Sequence, residues 1–202
     1  MRGLLSCAIL ASLSVSACQD PTGPPPEYRP EEAGTVDHAM CLLGFEAVPL
    51  REVATGHHLV QAKINGRSGS FVLDTGANVT VVENSHLRHF DISGSQGGLG
   101  RAVGGMAGGM RARQVAIDGL KIGSIKTRQA RIVTTDLGQL LSMLGQVSGT
   151  TVYGLVGQDV LKEHRAIVDV AKPMLYLIPQ DRDPAPVAAA KCKREAEAKG
   201  GA

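Results

Sequence analysis

No tryptophan occurs in the chain, and aromatic side chains make up only 3% of its 202 residues, so Val, Ile, Leu and Ala must fill any core. Charge of one sign is also missing. The 21 basic and 19 acidic side chains are interspersed and leave a formal +2, which builds no field to gather phosphate and argues against a nucleic-acid partner. The one long apolar run, residues 4–15, is too short to span a bilayer. Several catalytic and cofactor signatures are absent as well. There is no Gly-x-x-x-x-Gly-Lys-Ser/Thr loop, Gly98-x-Gly100 lacks the third glycine of a dinucleotide loop, and no Gly-x-Ser-x-Gly elbow supports Ser-His-Asp hydrolysis. His57-His58 and His86-x-x-His89 have no Cys or acidic partner at ligand spacing, so neither a metal nor another cofactor is expected.

What the chain does have is 43% hydrophobic residues and 25 glycines, a mixture that favours short strands and tight turns in one domain. The first residues have the form of a targeting segment: Arg2, the apolar run, then small residues before Cys18. Val15-Ser16-Ala17-Cys18 resembles a bacterial lipobox. That resemblance implies a signal peptide over 1–17, lipidation of Cys18 and an anchored domain facing the periplasm. Gln19 is compatible with outer-membrane sorting, although Asp20 blurs it. An ordinary signal peptide cut near Ala17 is the alternative, and both export the chain. Lipidation and cleavage would leave Cys41 and Cys192 as the pair able to bridge the domain ends in an oxidising compartment. Two thiols in flexible flanks that never meet remain the other reading.

Residues 19–35 carry five prolines among Gly, Glu and Thr and read as an extended tether, so the lipidated N-terminus and tether are placed at 18–39. Residues 181–202 read as a polar tail with at most a short frayed helix. The folded domain is placed at 40–180. Within it, residues 59–64 alternate apolar and polar, Asn65-Gly66 signals a hairpin, and residues 70–73 resume the alternation. Strands are also expected at 79–82, 115–117, 120–122, 128–133, 152–156, 166–170 and 174–178. Short helical turns are expected at 85–89 and 159–163, and residues 137–144 have helical spacing limited by Gly138 and Gly145. Residues 94–109 hold eight glycines and cannot be regular structure. Many short strands with few helices predict an all-β single domain, a barrel or sandwich.

The segment that carries chemistry is Asp74-Thr75-Gly76. It follows the apolar Phe71-Val72-Leu73, continues as Ala77-Asn78, and re-enters a β-branched run. A carboxylate at the tip of such a turn is held rigidly by its strands, Gly76 permits close backbone approach, and Thr75 offers a hydroxyl to brace the loop. Far downstream come Leu155-Val156-Gly157, a short helical stretch, and closing strands. Asp159, Asp169 and Asp118 lack the Thr-Gly context and are read as a helix cap, a strand-edge partner and a turn residue.

Together these two motifs make residues 59–178 resemble the retropepsin-like aspartic proteases, in the same order along the chain. The resemblance implies an acid-protease barrel with one Asp-Thr-Gly loop. Asp74 would be catalytic, Thr75 and Gly76 its loop, Ala77 and Asn78 substrate contacts, and Leu155, Val156 and Gly157 the support behind it. The glycine-rich stretch with Gly104, Gly105, Met106 and Gly108 falls where such proteins place the flap. Amide hydrolysis by this route needs one carboxylate as base and one carboxylic acid, yet the chain has a single Asp-Thr-Gly, so the resemblance implies a homodimer acting on peptide substrates. Two departures stand out: Asn78 replaces the usual second Asp of the motif, and the chain ends are a tether and tail. The competing reading is a monomeric peptide-binding module of the cell envelope without turnover.

Overall fold

The computed structural model describes residues 26–92, 112–179 and 182–193. In chain order the elements are α1 (Val36–Leu42), β1 (Glu46–Pro49), β2 (Arg51–Glu52), β3 (His58–Ile64), β4 (Arg67–Leu73) and β5 (Val81–Glu83). After a 3-10 turn (Asn84–Phe90) come β6 (Arg113–Ala116), β7 (Leu120–Ile122), β8 (Ile125–Lys126) and β9 (Arg131–Thr135). The chain then forms α2 (Gly138–Ser148), β10 (Val152–Val156), α3 (Gln158–Glu163), β11 (Ile167–Asp169), β12 (Met174–Leu177) and a second 3-10 turn (Ala189–Cys192). The fold is all-β, as expected. One large mixed sheet runs β6-β9-β5-β10-β4-β3-β7-β8, with β2 added to β3, and a small antiparallel sheet runs β1-β12-β11.

Period-2 alternation sorts side chains into layers, and in β10 an irregularity between Val152 and Gly154 keeps Val152 and Leu155 in the same layer. On one face of the large sheet Val60, Ala62, Ile64, Phe71, Val82, Ile132 and Val156 meet Val48, Leu175 and Leu177 of the small sheet. On the opposite face Leu59, Val72, Val81, Val133, Val152 and Leu155 meet Leu141 and Leu144 of α2. The small sheet presents Met174 and Tyr176 to its other side, where Phe45, Tyr28 and Met40 cover them. Every residue of β12 is therefore buried. Because successive residues belong to different layers, a one-residue slip in β4 would exchange Phe71 with Val72 and ruin both.

The Asn65-Gly66 signal produces the β3–β4 hairpin, with φ of 51° and 81° as a two-residue turn of this hand requires. The Asn65 side chain also donates to the Phe90 carbonyl (2.9 Å) and accepts from the Asp118 N–H (2.7 Å), fixing the hairpin against two distant segments. Helix α2 starts at Gly138, runs through Gly145, the other glycine expected to limit it, and stops at Gly149, φ 63°. Burial of Leu141 and Leu144 outweighs the intrinsic cost of about 1 kcal/mol per helical glycine.

Packing begins before residue 40. Thr35 caps α1 by accepting the His38 N–H at 3.2 Å. Asp37, placed in the expected tether, is only 1% exposed. Its carboxylate accepts from the Arg29 N–H (2.7 Å), the Lys172 ammonium (2.5 Å) and the Tyr176 hydroxyl (2.5 Å). Burial by itself would raise the Asp37 pKa, but the Lys172 and Tyr176 donors outweigh it and hold the carboxyl below its ordinary range. Desolvation, with Asp37 beside it, pushes the Tyr28 phenol up to about 12 and raises Tyr176 as well. Cys41 and Cys192 form a disulfide, and Val187 and Ala185 bond back to Leu42 and Leu43, so part of the expected polar tail is tied to α1. Composition could not reveal this, since the partners lie on β12 and at the far end of the chain. The expected signal peptide, Cys18 and the first part of the tether lie outside the described residues.

Candidate active site

Strand β4 delivers Asp74 and β5 carries the chain away from it. Between these two strands lies β10, parallel to β4 (Leu155 opposite Val72, Val156 opposite Leu73) and antiparallel to β5 (Leu155 opposite Val81). The loop 74–80 must therefore cross over the end of a strand that arrives about eighty residues later, estimated from the sequence separation. That crossing holds the carboxylate in place. The Asp74 N–H donates to the Val156 carbonyl (3.0 Å), the Gln158 N–H to the Ala77 carbonyl (2.8 Å), and Gln158 Nε2 to the Thr75 carbonyl (2.7 Å). The C-terminal end of β10 and the residue that starts α3 are thereby tied to the loop.

Two glycines make the crossing possible, for reasons of space. Gly157 has an ordinary φ of −105°, yet a Cβ there would lie 2.5 Å from the Val79 carbonyl oxygen and 2.9 Å from that of Ala77. At Gly154 a Cβ would stand 1.9 Å from the Val81 oxygen. Backbone touches backbone at both points, so no side chain fits.

Behind the loop a closed polar network joins its two halves. The Thr80 hydroxyl accepts from the Gly157 N–H (3.0 Å) and donates to Asp159 Oδ1 (2.7 Å), while Asp159 Oδ2 accepts the Thr80 N–H (3.0 Å) and Oδ1 accepts the Val160 N–H (2.9 Å). Asp159 is thus no helix cap, for Gly157 occupies the cap position of α3. It clamps the loop instead. The same bond explains why β5 starts at Val81 and not at Val79: the Thr80 N–H is engaged by a carboxylate and not by a neighbouring strand. Sequence reasoning missed Thr80, Gln158 and the role of Asp159, because the clamp joins residues 79 apart.

At the tip, Asp74 is half-buried and Thr75, Gly76 and Asn78 are exposed. Asp74 Oδ1 accepts the Gly76 N–H at 2.8 Å, an internal contact that orients the carboxylate and leaves Oδ2 without an intrachain bond among the described residues. Asp74, Thr75, Gly76, Ala77, Leu155, Val156 and Gly157 are brought together in this one region, with Leu155 facing the α2 layer and Val156 the layer beneath. Gly104, Gly105, Met106 and Gly108 lie outside the described residues. The other acidic residues sit elsewhere: the Asp169 carboxylate closes the β11–β12 turn by accepting from the Ala171 and Lys172 N–H groups, each at 3.0 Å, and Asp118 lies in the turn where its backbone N–H donates to Asn65 Oδ1. His86 and His89 pack on the Tyr153 ring, at centroid distances of 4.8 and 4.4 Å, and no described group of three His, Cys, Asp or Glu could hold a metal ion.

A family model described as aspartyl protease matches residues 60–160, half of the 202-residue chain and the part that contains every bond of the crossing. Among solved structures, the chain is similar to a retropepsin-like aspartic protease from Rickettsia conorii, at 17% identity over 66% of this chain and 90% of that one, with a TM-score of 0.47. It is also similar to the retroviral protease-like domain of Ddi1 from Leishmania major, at 15% identity over 63% and 90% of the two chains, with a TM-score of 0.40. No protein of curated function matches the sequence.

Proposed function

The chain belongs to the aspartyl protease family, and from that premise we propose that it is an endopeptidase whose active site forms when two copies bring their Asp74 loops together. The observation that carries this reading is the Asp74 carboxylate itself, oriented by Gly76, with its second oxygen left without an intrachain bond among the described residues. A carboxylate that served only the fold would be enclosed by donors, as Asp159 is. Asp74 is not.

One carboxylate cannot carry out the reaction. Two in contact share a proton, since both cannot ionise side by side, and the shared proton divides the roles. The ionised Asp74 accepts a proton from water as the water oxygen attacks the peptide carbonyl carbon, and the protonated Asp74 of the second copy gives its proton to the carbonyl oxygen. The tetrahedral intermediate then collapses: the nitrogen takes a proton, the C–N bond breaks, and an acid and an amine leave. Thr75 hydroxyls would brace the loops across the two-fold axis, with Ala77 and Asn78 holding an extended substrate backbone. Asn78 is exposed on the same loop, which supports a binding role. The lipobox ending at Cys18 supports a further proposal, an envelope-anchored domain facing the periplasm.

The test is cleavage of a peptide library from acidic to neutral pH by the native chain and by Asp74→Asn. Loss of cleavage in Asp74→Asn with unchanged melting, and inhibition by a statine transition-state mimic, are expected. Because the dyad is shared, mixing native chain with excess Asp74→Asn should suppress native activity as mixed dimers form. A native chain that sediments only as a monomer and cleaves nothing would favour a peptide-binding module.

A further inference from the structure

Strand β3 has a gap along its outer edge. Strand β2 pairs with His58 and Leu59, and β7 pairs with Ala62, Lys63 and Ile64, so Val60 and Gln61 have a neighbouring strand only on the β4 side. A cleft of about 440 Å³ opens at this gap, within the size range of small-molecule sites. Pro49, Leu50, Leu59 and Ala62 give it an apolar lining, Arg51, Lys63 and Lys121 line it with positive charge, and no acidic residue contributes.

Two unfavourable features converge here. Lys63 stands directly opposite Lys121, and Lys121 directly opposite Lys126, three exposed ammonium groups in one cross-strand row. Like charges so placed repel, and none of the three has an ion-pair partner among the described residues. Arg51 Nη2 is shut off from solvent and has no hydrogen-bond acceptor among the described residues. A buried donor without a partner is costly and uncommon. A single anion in the cleft would offset the lysine repulsion, and Arg51 lines the same cleft.

We propose that this cleft binds an anionic amphiphile, its carboxylate or phosphate head held by Arg51, Lys63 and Lys121 and its apolar body laid along Pro49, Leu50 and Leu59. The guanidinium fork suits a two-oxygen anion, and the lysines add point charge. An acidic peptide docking by strand addition fits less well, because the free edge spans two residues and cannot support a ladder of backbone bonds. No lining residue belongs to the Asp74 loop or to residues 154–159, so the site stands apart from the proposed catalytic one and does not depend on it.

Calorimetric titration of the full chain tests this with four probes: dodecyl phosphate and dodecanoate below their micellar ranges, dodecyl maltoside as an uncharged chain, and inorganic phosphate as a head alone. Saturable binding of the charged probes, one per chain and at least tenfold tighter than either control, is expected. Lys63→Gln with Lys121→Gln should weaken it at least tenfold, as should Arg51→Gln. The lysine pair should melt no lower than the native chain, because its removal relieves repulsion, which separates lost binding from lost folding. Cosedimentation with phosphatidylglycerol vesicles that fails in the same variants would assign the head to a bilayer lipid; binding of the soluble probes without it would assign a free amphiphile. Unchanged affinity in the variants, equal binding of dodecyl maltoside, no saturable binding, or capture of an acidic Leu-Glu peptide in preference to dodecyl phosphate would each overturn the proposal.

Discussion

Replacing Gly157 with alanine adds one methyl group where the β10 end passes under the Asp74 loop. The new Cβ would lie 2.5 Å from the Val79 oxygen, 2.6 Å from the Val79 carbonyl carbon and 2.9 Å from the Ala77 oxygen. All three are backbone atoms, so no rotamer change can clear them. Ordinary contact begins at 3.4 Å, so the two backbone segments must part by about 0.9 Å. That shift stretches the Gly157 N–H···Thr80 bond (3.0 Å) and the Gln158 N–H···Ala77 bond (2.8 Å) beyond useful length. Overpacking of this kind costs about 1–3 kcal/mol, which lowers Tm by roughly 3–10 °C for a domain of this size. Moving a reacting group by about 1 Å also costs around a hundredfold in rate. Thermal unfolding by circular dichroism and kcat/KM on a library-derived peptide report the two effects separately. Gly154→Ala, with its 1.9 Å approach, should be worse in both. A Gly157→Ala chain that melts within a degree of native and cleaves at the native rate would refute the claim that backbone contact at this point sets the loop.

Other expectations follow from the same bonds. Thr80→Val keeps the shape but leaves the Gly157 N–H without a partner and takes one of two donors from Asp159 Oδ1, which keeps the Val160 N–H, costing on the order of 1–3 kcal/mol; denaturant unfolding should show it, with kcat reduced more than KM. Asp37 has a lowered folded pKa, so its contribution is present above the unfolded value of about 3.9 and is lost as pH falls through the lower folded value. Tm should therefore drop steeply below about pH 4, and Asp37→Asn should flatten that drop while costing roughly 3 kcal/mol at neutral pH. Reducing the Cys41–Cys192 disulfide, which closes a loop across a separation of 151 residues, should cost about 3–5 kcal/mol and lower Tm measurably.

The strands that position Asp74 were legible because their signals are local. Alternation in 59–64, the Asn65-Gly66 turn and the β-branched run after Ala77 each act over a few residues; β3 and β4 appear where the first two place them, and the run gives β5, which begins two residues later than expected, at Val81. Helix α2 was understated because local glycine cost was weighed without the sheet that Leu141 and Leu144 cover. Strands β1, β2 and β8 were missed, two of them being only two residues long and held by pairing to neighbours.

What the sequence by itself determined is the candidate reacting group and the order of the strands around it: Asp-Thr-Gly between apolar runs, and Leu155-Val156-Gly157 far behind. Only the tertiary structure decided how these meet. It threads β10 between β4 and β5, assigns Asp159 to clamp Thr80, draws Asp37 into a buried site beside Lys172 and Tyr176, and aligns three lysines in one row. The physical reason is range. Turn chemistry and alternation are encoded within a few neighbours, whereas a carboxylate's partner or a glycine's need for space depends on which distant backbone the fold brings against it.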